Sequence, residues 1–154
     1  MNRSITALIL LSALCCFSCG NSPKAGKTST EVIETWQDGS AKKTIIRDAH
    51  TLEKVAEVEL YDNETPFREW SYLNGLKNGA SRSFREDGKP WSLNTYQNDT
   101  LHGPYQTWHE NGQLYIDGSY QKGNRAGVWK FYGPDGKLIR EMNFDNQAAD
   151  SLSR

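Results

Sequence analysis

A period of 24 residues constrains this chain more than any other feature. Tyr72, Tyr96, Tyr120 and Phe144 are spaced by 24, as are Gly79, Gly103 and Gly127, then Phe84, Trp108 and Tyr132, then Gly88, Gly112 and Gly136. Phe67, Trp91, Tyr115 and Ile139 form a fifth column. Self-similarity at this spacing marks an array of small supersecondary units. Another step back from Gly88 reaches Asn63-Glu64, in the slot filled elsewhere by Asp87-Gly88, Asn111-Gly112 and Asp135-Gly136, and Asp38-Gly39 lies 25 residues before Glu64. The reading is three well-formed units preceded by one or two degenerate ones, with the degeneracy falling before about residue 65.

The physics inside a unit points to β structure. Asp-Gly and Asn-Gly suit tight turns, because glycine takes positive φ without steric cost and Asn or Asp tolerates it. Runs of strand length flank each turn, such as Pro104 to Trp108 and Gln113 to Tyr120, rich in aromatic and β-branched side chains. Each unit is therefore expected to be two antiparallel strands, and the connection from Tyr96 to Gly103 or Tyr120 to Gly127 a longer polar loop closed by glycine. Stacked in order, the units make an all-β antiparallel meander in which residue i lies beside residue i+24. A lone hairpin cannot bury its apolar face, so the array stabilises it.

The pattern at Tyr120, Gly123, Gly127, Trp129, Phe131, Tyr132 and Gly136 resembles the MORN-type repeat. More closely, it is similar to the bacterial variant found in proteins named as YwqK-family antitoxins. The likeness runs from about Thr35 to Phe144 and implies an elongated repeat sheet. It also implies an antitoxin or immunity role, neutralising a toxin as the partner. Val55 in place of the loop glycine and Glu64 in place of the turn glycine depart from the pattern.

The N-terminus reads as an address. Residues 1–18 carry one charge, Arg3, and an apolar run from Ile5 to Phe17 broken only by Thr6 and Ser12, too short for a bilayer-spanning helix of roughly 20 residues. A basic start, a short apolar centre and then small residues have the form of a secretory signal peptide. The stretch Leu14 to Asn21 resembles a bacterial lipoprotein signal, which implies lipidation of Cys19 and a membrane anchor on the periplasmic side; the alternative is ordinary cleavage leaving Cys19 a free thiol. Cleavage removes Cys15 and Cys16 and leaves 17 basic against 19 acidic residues, which offers no footprint for nucleic acid. Residues 19–31, rich in Gly, Ser, Thr, Lys and Pro, read as a flexible linker, 32–144 as the repeat domain and 145–154 as a polar tail.

In a repeat protein, chemistry is expected where one unit departs from its neighbours. His102 and His109 are non-periodic, but seven strand residues separate them by about 23 Å, too far for one metal ion. Glu86, Asp87, Glu110, Asp117 and Asp135 could in principle form a carboxylate pair, yet most sit at turn tips, where acids serve conformation. No nucleophile elbow, phosphate loop or dinucleotide fingerprint occurs, so no enzyme activity, metal or cofactor is expected. The aromatic residues remain. Val128 to Tyr132 carries large apolar groups in both alternation phases, so ring ladders stabilise the sheet, and Tyr105, Trp129 and Phe131 are expected to form an exposed stripe that docks a protein or, alternatively, a cell-wall glycan. The function expected is a non-enzymatic, membrane-anchored scaffolding or protein-binding module.

Overall fold

The computed structural model describes residues 27–145. The signal peptide, Cys19 and the tail beyond 145 lie outside the described residues. Strands β1 (Thr28–Thr35), β2 (Ala41–Asp48), β3 (Lys54–Leu60), β4 (Pro66–Leu73), β5 (Leu76–Phe84), β6 (Pro90–Gln97), β7 (Thr100–Leu101), β8 (Gly103–Trp108), β9 (Leu114–Gln121), β10 (Asn124–Tyr132) and β11 (Leu138–Asn143) follow the chain. They form one antiparallel sheet in sequence order, with the short β7 pairing only β6. The expected meander is the observed one. Its start differs: β1 opens at Thr28 and pairs with Asp48, inside the stretch read as linker, because Thr28 to Val32 find ladder partners on β2 despite their polar composition.

One turn recurs five times among the described residues. The amides of Trp36, Tyr61, Arg85, His109 and Gly133 donate to the carbonyls four residues on, and the amides of Gly39, Glu64, Gly88, Gly112 and Gly136 donate back to the first residue. Inside each turn the side-chain oxygen of Asp38, Asn63, Asp87, Asn111 or Asp135 accepts the backbone N–H two residues ahead. This Asx geometry explains why those columns hold only Asp and Asn. The two N-terminal units, degenerate in sequence, thus keep the same turn. At Glu64 the backbone holds φ of 63° without a glycine, a conformation that costs an L-residue about 1–2 kcal/mol.

The second connection is tighter than expected. Leu73 pairs with Leu76, Gln97 with Thr100 and Gln121 with Asn124, so only Asn74-Gly75, Asn98-Asp99 and Lys122-Gly123 turn the chain, all at positive φ. These are two-residue hairpin turns whose twist matches that of the strands. Gly79, Gly103 and Gly127 close no loop. They sit at positive φ where the ladder register slips or the strand breaks between β7 and β8, so that the extra residues of the second hairpin are absorbed as bulges.

A single-layer sheet buries little. Among the described residues the buried apolar side chains are Val58, Leu60 and Trp129, and Thr44, Ser81 and Ser83 are buried polar ones. Directly paired residues share a face. Thr44 pairs with Val58, Val58 with Glu69 and Glu69 with Arg82. Arg82 lies between Ser81 and Ser83, so these serines belong to the opposite face. One row on that opposite face crosses seven strands as Arg68, Ser83, Ser92, Thr107, Ile116, Phe131 and Arg140. The N-terminal units therefore bury residues on one face and the C-terminal units on the other.

Candidate binding groove

Trp129 is the centre of the C-terminal face and only 1% exposed. It stacks on Tyr105 at 5.1 Å and 29° and meets Tyr120 and Phe144 edge-on at 5.1 and 5.9 Å. Its Nε1–H donates to the Ser119 carbonyl at 3.1 Å, which satisfies its one polar atom. The Arg125 guanidinium covers the ring at 4.8 Å. This corrects the exposed stripe expected from Tyr105, Trp129 and Phe131: Trp129 is core, while Tyr105 and Phe131 are half-buried. The cause lies on the neighbouring strand. A Cβ on Gly118 would stand 2.4 Å from Trp129 Cδ2, so glycine there opens the space that the indole fills.

One unit earlier the same face changes character. The column that holds Trp129 and Tyr105 continues as Ser81, the column of Phe131 and Thr107 as Ser83, and the column of Ile116 as Ser92. With small hydroxyl side chains where rings stand later, the face opens into a groove of about 420 Å³. Its floor is Ser81, Ser83, Ser92, Asn94 and Thr107, and Trp70, Trp91, Tyr96 and Tyr105 line it. Burial pushes the Tyr105 phenol up, with Tyr120 adding to the effect, so its O–H stays a donor at neutral pH.

Two cations stand in this groove, Arg68 and Lys77. Arg68 lies 5.4 Å from the Trp70 ring centroid, and Lys77 lies 5.2 Å from Trp70 and 5.7 Å from Tyr96. Among the described residues neither makes an ion pair. The acids beyond Trp70 are already engaged: Glu57 meets Lys43 at 2.8 Å and Lys54 at 3.0 Å, and Glu59, opposite Arg68 in register, turns to Lys43 at 3.7 Å. Burial pushes the Glu57 carboxyl up, but its two ammonium partners outweigh this and hold it below the usual range.

The non-periodic histidines turn out to serve the architecture. His109 Nε2–H donates to the Tyr132 carbonyl at 2.9 Å. Tyr61 Oη and Arg85 Nη2, two units and one unit earlier, reach the carbonyls of Phe84 and Trp108 in the same way. Three different side chains thus tie each turn to the next unit, 23 residues ahead. Nδ1 of His102 faces the Lys122 amide at 3.5 Å. Of the turn acids, Asp87 is held below the usual carboxylate range by hydrogen bonds from Lys89, and Asp135 by those from Lys137. Such groups cap turns and are opposite in tendency to a general acid, whose pKa is raised.

Three stretches, residues 77–98, 101–122 and 125–146, match the MORN repeat variant. Their starts are 24 residues apart, and each spans a hairpin around one of the Asx turns. Over these three stretches the sheet is similar to MORN repeats. MORN repeats are in general non-enzymatic modules that bind proteins or membranes. The groove lies where the first matched MORN unit, which supplies Lys77, Ser81, Ser83, Ser92, Asn94 and Tyr96, meets Arg68 and Trp70 of the strand before it. The hairpins β1–β2 and β3–β4 carry the same turn outside the matched stretches. Neither a curated protein nor a solved structure matches the chain.

Proposed function

We propose that this chain is a non-enzymatic, lipid-anchored MORN-repeat module of a bacterial cell envelope that binds a partner protein. The observation that carries the binding half is the state of its two edge strands. All eight residues of β1 are exposed, including Val32 at 51%, and Ile139 on β11 is 72% exposed. An uncovered edge presents unpaired N–H and C=O groups, to which another chain can add a strand. The sequence around Cys19 supports the anchor, which would hold such edges at a membrane surface. No helix among the described residues is long and apolar enough to cross one.

Two measurements test this reading. Intact mass of the mature protein is expected to begin at Cys19 and to carry acyl chains; an unmodified thiol overturns the anchor. Capture of partners from detergent-solubilised envelope is expected to fall in Val32→Lys and Ile139→Lys variants, which place charge on the edges. Equal capture by both variants overturns edge docking. Neutralisation of a toxin is one form such binding can take, implied by the YwqK likeness; rescue from a toxic neighbouring gene product on co-expression tests it.

A further inference from the structure

We propose that the groove between β4 and β8 is a binding site for an acidic saccharide, independent of the edge strands. The floor decides against an apolar ligand. Ser81, Ser83, Ser92 and Thr107 offer hydroxyl groups and Asn94 an amide, which would be left without partners beneath an aliphatic side chain. Thr107 Oγ1 is shut from solvent and has no hydrogen-bond partner among the described residues.

The position in the sheet decides against a peptide added as a strand. β5, β6 and β8 are interior strands, paired on both sides, so the groove presents side chains and no free backbone edge. A sugar ring suits what is left. Its hydroxyls match the floor, and its C–H faces lie against the negative faces of Trp70, Trp91, Tyr96 and Tyr105. Few precisely placed polar groups among aromatic walls are the general composition of a small-ligand site.

Charge selects the acidic class. The lining holds Arg68 and Lys77 and not one carboxylate. Glu57 and Glu59, opposite Trp70 and Arg68 in register, are occupied by Lys43 and Lys54. The Asp99 carboxylate accepts the Lys77 backbone N–H at 2.7 Å and makes no ion pair with its ammonium among the described residues. A carboxylate on the sugar would supply the partner that both cations lack, and a planar guanidinium can take it through two hydrogen bonds. The groove exists because Ser81 stands where the following units place Tyr105 and Trp129, so it occurs once in the array.

Titration of the mature chain with tetragalacturonate, followed by calorimetry and tryptophan fluorescence, tests the assignment. Saturable binding is expected, weakened about tenfold for neutral cellotetraose, which lacks the carboxylates. Arg68→Gln and Lys77→Gln, both at half-buried positions that leave the sheet ladder intact, are each expected to weaken tetragalacturonate binding about tenfold. Val128→Ala, which trims an exposed side chain on the other face, is expected to leave it unchanged. No saturable binding of tetragalacturonate overturns the proposal, as does binding that the Arg68→Gln, Lys77→Gln double variant retains. Equal or tighter binding of tetraglutamate or tetrathymidylate also overturns it, since the groove would then read charge or stacking without the sugar.

Discussion

The Trp129 indole occupies the space that Gly118 leaves empty, a Cβ on the glycine falling 2.4 Å from the ring. Gly118 lies in a regular part of β9 and carries no positive φ, so its role is room and nothing conformational. Gly118→Ala is therefore expected to destabilise the protein by about 1–3 kcal/mol through overpacking, and Trp129→Ala by about 3–5 kcal/mol. In a Trp129→Ala background the cost of Gly118→Ala should vanish. Urea denaturation of the four proteins measures this coupling, and additive costs would refute the packing account.

Glu64 holds a left-handed backbone where four sister turns place glycine. Its side chain makes no ion pair among the described residues, so little is lost on removing it. Glu64→Gly is expected to stabilise by about 1 kcal/mol, whereas Gly112→Ala at the equivalent position should destabilise by a similar amount. Paired melting curves check both signs.

The tie from His109 Nε2 to the Tyr132 carbonyl is one of three serial contacts along the turn edge. His109→Ala leaves that carbonyl without the bond, at an expected cost of about 1 kcal/mol. Because Arg85 makes the equivalent tie in the unit before, Arg85→Ala should cost a similar amount. Denaturant midpoints report the loss, and a null effect in both variants would show the column to be ornamental.

Glu69 is the carboxylate that pH should expose. Burial raises its pKa above the usual value, only partly offset by Arg82. A raised folded-state pKa means that the native chain holds the proton more tightly than the unfolded chain, so the group favours folding below its unfolded pKa and loses that contribution as pH rises through the folded value. At neutral pH the charged form is a liability. Glu69→Gln is expected to raise the melting temperature at pH 7, and the gain over wild type should shrink as the solution is acidified through the carboxylate range. A gain independent of pH would point to packing instead.

Much of this fold was legible because each unit repeats its own turn chemistry. Asp38, Asn63, Asp87, Asn111 and Asp135 can be aligned by eye, and the Asx bond they make is local to three residues. The second connection was not legible, since Asn74-Gly75, Asn98-Asp99 and Lys122-Gly123 share a backbone conformation but little composition, and Gly79, Gly103 and Gly127 look like loop closers until the bulges are seen. His109 appeared aperiodic because Tyr61, Arg85 and His109 differ in kind while donating to the same carbonyl position. Of the exposed stripe expected from Tyr105, Trp129 and Phe131, Trp129 is buried, and Ser81, Ser83 and Asn94, which line the groove, carry no signal of their own in the sequence.

By itself the sequence determined the period, the tight turns and the antiparallel order of the strands, all of which depend on residues close together in the chain. Only the tertiary structure decided which side chains are hidden. Burial in a single sheet depends on pairs brought together across strands, such as Gly118 with Trp129, and the groove depends on residues from β4, β5, β6 and β8 meeting on one face. A local pattern records the conformation of each hairpin, but whether a ring lies on the surface or within it is set by the size of the residue one strand away.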